Sequence, residues 1–158
     1  MSTARLGGTK IPKHYQSTID NPSIAKIGID TGTKTGFAVW EDGKLQAVES
    51  MTITQAMRKI LAAYPCQTTK LYIEDARLWI GFHGKTKKSE AKRQGAGSVK
   101  RDAKIWEDWC KEHGYDVLFV KPMGKGLKKS AEDFKRITGW SGRTNEHARD
   151  AAMIVFQR

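Results

Sequence analysis

Apolar residues recur along the chain in two rhythms. Ile24, Ile27 and Ile29 stand among small residues, and Phe37 to Trp40 follow after Thr31-Gly32-Thr33-Lys34-Thr35-Gly36. This pattern predicts a buried strand, a tight turn and a second strand returning antiparallel. Gly32 and Gly36 are the residues that tolerate unusual backbone angles and close approach of a ligand. Glu41-Asp42-Gly43-Lys44 carries the Asp-Gly hairpin signal, which makes Leu45 to Met51 a third strand. The spacing then changes: Ile53, Met57, Ile60, Leu61 and Tyr64 predict a helix, capped by Thr52 or Thr54 and stopped by Pro65. Leu71 to Glu74 is a short strand, parallel to its neighbours because a helix precedes it.

A second helix is predicted from about Ser98 to His113, with Val99, Ala103, Trp106 and Cys110 in one stripe and Ile105 and Trp109 widening it. Gly114 closes it, and Tyr115 to Val120 form a fifth strand. Ser130-Ala131-Glu132-Asp133 is similar to a capping box and opens a short helix ending at Gly139. The last helix starts near Thr144 or Asn145. The order β-β-β-α-β-α-β-α-α fits an α/β fold, a mixed five-stranded sheet with helices on both faces. Residues 76–96 read as a long basic loop. Residues 1–23, broken by Gly7-Gly8, Pro12 and Pro22, read as a mobile, basic N-terminal arm ahead of one domain over 24–158.

Composition narrows the class. A chain of 158 residues with 39% hydrophobic and 28% charged residues fits one globular domain. No apolar run reaches bilayer length and no signal-peptide core opens the chain, so a cytoplasmic protein is expected. Cys66 and Cys110 have neither metal-site nor disulfide-framework spacing and read as reduced thiols. The net charge of +11 is the strongest bulk signal. It is clustered: nine Lys/Arg against two acids from Arg77 to Lys104, and six against two from Lys121 to Arg136. Clustering favours an anionic partner, nucleic acid first, over a merely solvated basic surface. Candidate DNA-contacting residues are Arg77, Trp79, Phe82, Lys85, Lys87, Lys88, Lys92, Arg93, Lys121, Lys125, Lys128 and Lys129. Trp79 and Phe82 lie in the basic loop, where they either stack on unpaired bases or pack a hairpin.

Against this basic background, acidic and imidazole groups fall at element ends. Asp30 closes the first strand, and Glu74, followed by Asp75, closes the fourth. His147 and Asp150 are three residues apart on the last helix and share a face. If the two strands are neighbours, about 4.8 Å separates them, close enough for Asp30 and Glu74 to hold one ion. Hard oxygen donors suit Mg²⁺, with Mn²⁺ as its substitute. Two ions about 4 Å apart would activate a water and stabilise the leaving oxygen of a phosphodiester. Taken singly, each residue has a plain alternative: Asp30 capping its own turn, Glu74-Asp75 facing water, His147 as a helix-end polar group, Asp150 pairing with Arg149 or Arg143. The combination in this chain order carries the signal.

Ile27-Gly28-Ile29-Asp30-Thr31-Gly32 with Gly36-Phe37-Ala38-Val39, Tyr72-Ile73-Glu74, Gln94-Gly95-Ala96-Gly97 leading into a helix, and His147-Ala148-Arg149-Asp150-Ala151-Ala152 together resemble RuvC-type Holliday junction resolvases of the RNase H-like superfamily. The likeness spans about residues 24–158, specific at both ends and loose in the middle. It implies an RNase H-like fold and a Mg²⁺-dependent homodimer that nicks two like-polarity strands of a four-way DNA junction symmetrically. By position, two metal ions would be held by Asp30, Glu74, His147 and Asp150; His147 either binds metal or orients the attacking water. The family's lysine after strand five falls on Lys121, Lys125 or Lys128, of which Lys125 is taken as catalytic. Dimerisation would run through the 98–113 helix. The family's wedge residue after strand four falls near Arg77, so Leu78, Trp79 or Phe82 takes its place. The compact, divergent form looks most like phage-encoded relatives.

Three other functions compete. An RNase H-type or transposase-like nuclease would use the same metal site on a different nucleic acid, because substrate choice lives in the loops. Asp-x-Gly-Thr with a following Gly also opens actin-like ATPases and sugar kinases, but those need two such lobes and this chain is too short. A non-catalytic DNA-binding module on the same fold would have no use for four metal candidates.

Overall fold

The structure, a computed structural model, describes residues 24–79 and 90–158, with the side chains of residues 90–96 outside that description. The N-terminal arm over 1–23, together with Phe82, Lys85, Lys87 and Lys88 and the side chains of Lys92 and Arg93, therefore lies outside the described residues. Five strands form one sheet: β1 (Ala25–Asp30), β2 (Thr35–Glu41), β3 (Lys44–Met51), β4 (Thr69–Glu74) and β5 (Asp116–Val120), in the order β3-β2-β1-β4-β5. β1 pairs antiparallel with β2 and β2 with β3, while β4 runs parallel to both β1 and β5. Four α-helices complete it: α1 (Ile53–Ala63), α2 (Glu90–His113), α3 (Ala131–Thr138) and α4 (Glu146–Val155). Among the described residues, no helix is long and apolar enough to cross a membrane.

The punctuation behaves as the sequence predicts. Asp42 and Gly43 both take positive φ (51° and 75°), turning β2 into β3. Thr52 caps α1 in a capping box with Gln55. Ser130 caps α3, whose C-cap Gly139 sits at φ 72°. The Asn145 side chain accepts a bond from the Ala148 N–H and starts α4.

Two expectations are corrected. Ile24 lies before β1 and is exposed rather than buried in it. The basic loop expected over 76–96 is in part helix, because α2 starts at Glu90 and contains Gly95 and Gly97 instead of beginning near Ser98. A helix glycine costs about 1 kcal/mol, yet helix propagation is cooperative once a nucleus exists. The fully buried Trp106 and Cys110 supply that anchor downstream. On the same helix Trp109 stacks on Tyr115 at 5.1 Å, while Ile105 points an exposed apolar side chain outward.

Strand alternation divides the core in two. Ile27, Ile29, Phe37, Val39, Leu71 and Ile73 pack with Ile60 of α1 and Trp106 and Cys110 of α2. Ala38, Val48 and Tyr72 pack with Phe134 of α3 and Ala148, Ala151, Ala152 and Val155 of α4. The same alternation puts Asp30, two residues beyond Gly28, and Glu74, two beyond Tyr72, on the face that α4 covers.

α4 lies unusually close to that face. A Cβ at Gly28 would come within 2.1 Å of the Ala151 carbonyl oxygen, and one at Gly36 within 1.9 Å of the His147 carbonyl oxygen. Gly36 is thus required by helix packing, where the sequence had pointed to turn freedom or a ligand. Its neighbour in register is Asp30, so the contact that excludes a side chain also brings α4 to the carboxylate. Replacing Gly28 by Ala is expected to cost about 1–3 kcal/mol, the range for overpacking a tight core. Urea denaturation of the variant against the parent chain measures it, and an unchanged midpoint would mean α4 does not need this approach.

Candidate functional site

The C-terminal ends of β1 and β4 and the first turn of α4 meet at one rim of the sheet. Ile29 is paired with Ile73, so Asp30 and Glu74 leave adjacent strands side by side. The Thr31 hydroxyl donates to the Glu74 carbonyl oxygen at 3.1 Å and ties the two strand ends together. On α4, His147 places Nδ1 2.8 Å from Asp30 Oδ2. One turn on, Asp150, only 3% exposed, faces the same space. Ligand sites in open α/β sheets form at such carboxyl ends of strands.

The electrostatics show that these groups feel one another. Burial raises the pKa of Glu74 to about 7 from its usual 4.5, and the negative charges of Asp30 and Asp150 add to it. A backbone hydrogen bond from Met123 and the Lys128 charge work the other way. Burial also raises Asp30, assisted by Asp150, against the lowering effects of the His147 hydrogen bond and Lys128. Carboxylates that repel each other in a desolvated pocket gain from a shared hard cation. The donor set of Asp30, Glu74 and Asp150, with His147 beside them, has the chemistry for Mg²⁺ or Mn²⁺. Among the described residues, however, no group of three or more His, Cys, Asp or Glu side chains is already drawn in to ligating distances.

An ammonium stands there instead. Lys128 Nζ lies 2.7 Å from Asp150 Oδ2 and also pairs with Glu146. Burial disfavours its charge, but the bonds to Asp150 and Glu146 outweigh that and hold its pKa above the usual lysine value. Of the three lysines considered after strand five, Lys128 is the one that reaches the carboxylates. Lys125, singled out from the sequence, sits exposed in a single 3₁₀ turn over Lys125–Leu127. Nothing in the spacing of a Lys-rich loop distinguishes the two; Arg149 of α4 decides it by bonding the Lys129 and Thr144 carbonyl oxygens, which fixes the path of the loop.

The other sequence candidates divide. Trp79 is 44% exposed just after β4, and Lys121 Nζ lies 5.3 Å from its ring centre, a cation–π pair on the same rim. Lys129 is half-buried beside α4. Arg77 is committed inside the chain. Its guanidinium grips both oxygens of buried Asp75 at 2.7–3.0 Å and reaches Glu107 on α2 at 2.8 Å. Glu107 is not singled out by the sequence, Asp75 is buried where the plain sequence alternative had it facing water, and only the fold places them on either side of Arg77. Glu107 is held down at about 2 by its bonds to Arg77 and Lys111. The buried Cys110 thiol is pushed up to about 12 by desolvation, as fits a core residue.

Glu74 generates a pH dependence. The folded state holds its proton more tightly than the unfolded chain, so metal-free stability falls as pH rises between about 4.5 and about 7. Glu74→Gln is expected to flatten this fall. Melting temperatures of both proteins in EDTA from pH 4.5 to 8 measure it, and parallel curves would show that Glu74 is not strained.

No family model and no curated protein matches this sequence. Solved structures do. A Thermus thermophilus RuvC bound to a Holliday junction substrate aligns with a TM-score of 0.58 at 15% identity, over 84% of this chain and 91% of that one. A second T. thermophilus RuvC structure aligns at 0.48 and 16% identity, over 84% and 92%. The chain has the mixed, five-stranded RNase H-like fold of RuvC.

Proposed function

We propose that this chain is a metal-dependent endonuclease that resolves four-way and other branched DNA. The observation that carries the reading is the convergence of Asp30, Glu74 and Asp150, from three separate elements, at one strand-end rim of a strongly basic protein. The neighbour with the same fold was solved on a Holliday junction substrate, which favours branched DNA over a hybrid or another nucleic acid.

In this reading Asp30, Glu74, Asp150 and His147 hold two Mg²⁺ ions, with Mn²⁺ as a substitute. The bound ions would supply a water nucleophile at neutral pH and stabilise the leaving oxygen. With Asp30 ionised, His147 Nδ1–H donates to Oδ2, which fixes the ring and its tautomer. Nε2, on a side chain 43% exposed, is then left to take a ligand or a proton. The concentrated acids would repel DNA without a cation, so the surrounding lysines must bring the backbone in. Lys121 and Lys125 are exposed on the loop after β5 and suit that task, and Trp79, 44% exposed beside Lys121, is the aromatic candidate for contact with an unpaired base. Symmetric nicking calls for two sites, hence a homodimer; the exposed Ile105 on α2 is the apolar side chain available for it on the 98–113 segment.

Two outcomes test this. Asp30→Asn is expected to lower cleavage of a synthetic four-way junction by about 10³-fold or more while leaving its binding intact, since only metal-assisted chemistry is lost. The parent and variant are assayed with Mg²⁺ on junction, flap, Y-fork and RNA–DNA hybrid substrates side by side. Preferential cleavage of the hybrid would move the reading to an RNase H-type enzyme, and equal loss of binding would make Asp30 structural. Neutralising Lys85, Lys87 and Lys88 is expected to weaken junction binding and to reduce the slope of log affinity against log salt by about 0.9 for each phosphate no longer neutralised. An unchanged slope, measured by fluorescence anisotropy, would take the 85–88 segment out of the DNA interface.

A further inference from the structure

Lys128 has an odd position for a residue whose only task is to meet DNA. Its ammonium is turned inward, 2.7 Å from a carboxylate oxygen of Asp150, which is nearly buried, and it is braced on the other side by Glu146. Its charge also acts on Asp30 and on Glu74. The ammonium therefore contacts the carboxylates of α4 directly, in the corner where Asp30 and Glu74 also end.

We propose that Lys128 is an internal counter-ion of this cluster, seated where a divalent cation binds and displaced when one arrives. The inference rests on the nuclease reading of the site and extends it to how the site is held before loading. Three features support it. The ammonium takes up the Asp150 oxygen that a metal would need. Lys128 belongs to the short stretch between the 3₁₀ turn at Lys125–Leu127 and the α3 cap at Ser130, not to a strand or helix. Its side chain is 36% exposed, so its four-carbon stem can swing the ammonium outward by rotamer changes alone. Loading the metal thus releases a lysine for the DNA backbone, and an empty site keeps both its acids and that lysine quiet.

The competition is measurable without any cleavage assay. Mn²⁺ is titrated into the full-length parent chain and into Lys128→Met and Lys128→Arg variants at constant ionic strength, with free Mn²⁺ followed by electron paramagnetic resonance. Removing the competitor is expected to tighten Mn²⁺ binding about tenfold in the Met variant, while the Arg variant, which keeps the charge, stays near the parent. Unchanged or weaker binding in the Met variant overturns the proposal and leaves the nuclease reading standing. Failure of all three proteins to bind Mn²⁺ overturns both. If the Met variant does not fold, the parent chain still decides: the Lys128 ammonium ¹H–¹⁵N resonance is expected to shift with Mg²⁺ saturation, and a signal that stays put overturns the displacement.

Discussion

The packing of α4 flat against β1 and β2 is the contact on which the site depends. It exists because Gly28 and Gly36 present no side chain where the Ala151 and His147 carbonyl oxygens come down on the sheet. Small residues complete it from the helix side, with Ala148, Ala151 and Ala152 all buried. A helix held off by ordinary side chains would ride farther from the strands, where neither His147 nor Asp150 could share a pocket with Asp30 and Glu74. Close packing and site geometry are here one constraint, since the residue that clears the way for His147 is paired in register with Asp30.

That closeness has an electrostatic consequence. Burial of the carboxylates in this corner raises the proton affinities of Glu74 and Asp30, and their neighbours' negative charge adds to it. Folding tolerates the arrangement because His147 and Lys128 compensate part of it, by a 2.8 Å contact to Asp30 and a 2.7 Å contact to Asp150. Clusters of this kind mark functional sites more often than structural ones, because stability alone would favour removing a charge. In the proposed reading, relief of that strain is what a divalent cation would gain at the site.

The opposite layer of the sheet is built for rigidity. Arg77 joins the end of β4 to α2 through Asp75 and Glu107, and stacks over Phe119 of β5. A residue that looks from the sequence like the first of a run of DNA-binding cations is also part of the scaffold at the end of β4. Its neighbour Trp79 stays exposed beyond that clamp, next to Lys121. The rim is therefore presented to a ligand by elements that are themselves tied down.

The sequence alone determined the element order, the hairpin at Asp42-Gly43 and the cap at Ser130, and narrowed the other two caps to Thr52 or Thr54 and to Thr144 or Asn145. These are local matters of backbone angle, capping and periodicity, readable over a few residues. It also marked Asp30, Glu74, His147 and Asp150 as residues at element ends, since strand length and helix phase locate them. What it could not decide was anything set by contact between distant segments. The reach of α2 back to Glu90, the capture of Arg77 by Asp75 and Glu107, the reason for Gly36, and which lysine after β5 meets Asp150 all depend on which surfaces meet. Glycine looks the same in a sequence whether it frees a turn or admits a helix, and lysines of one loop differ only once the fold sets one of them against a buried acid.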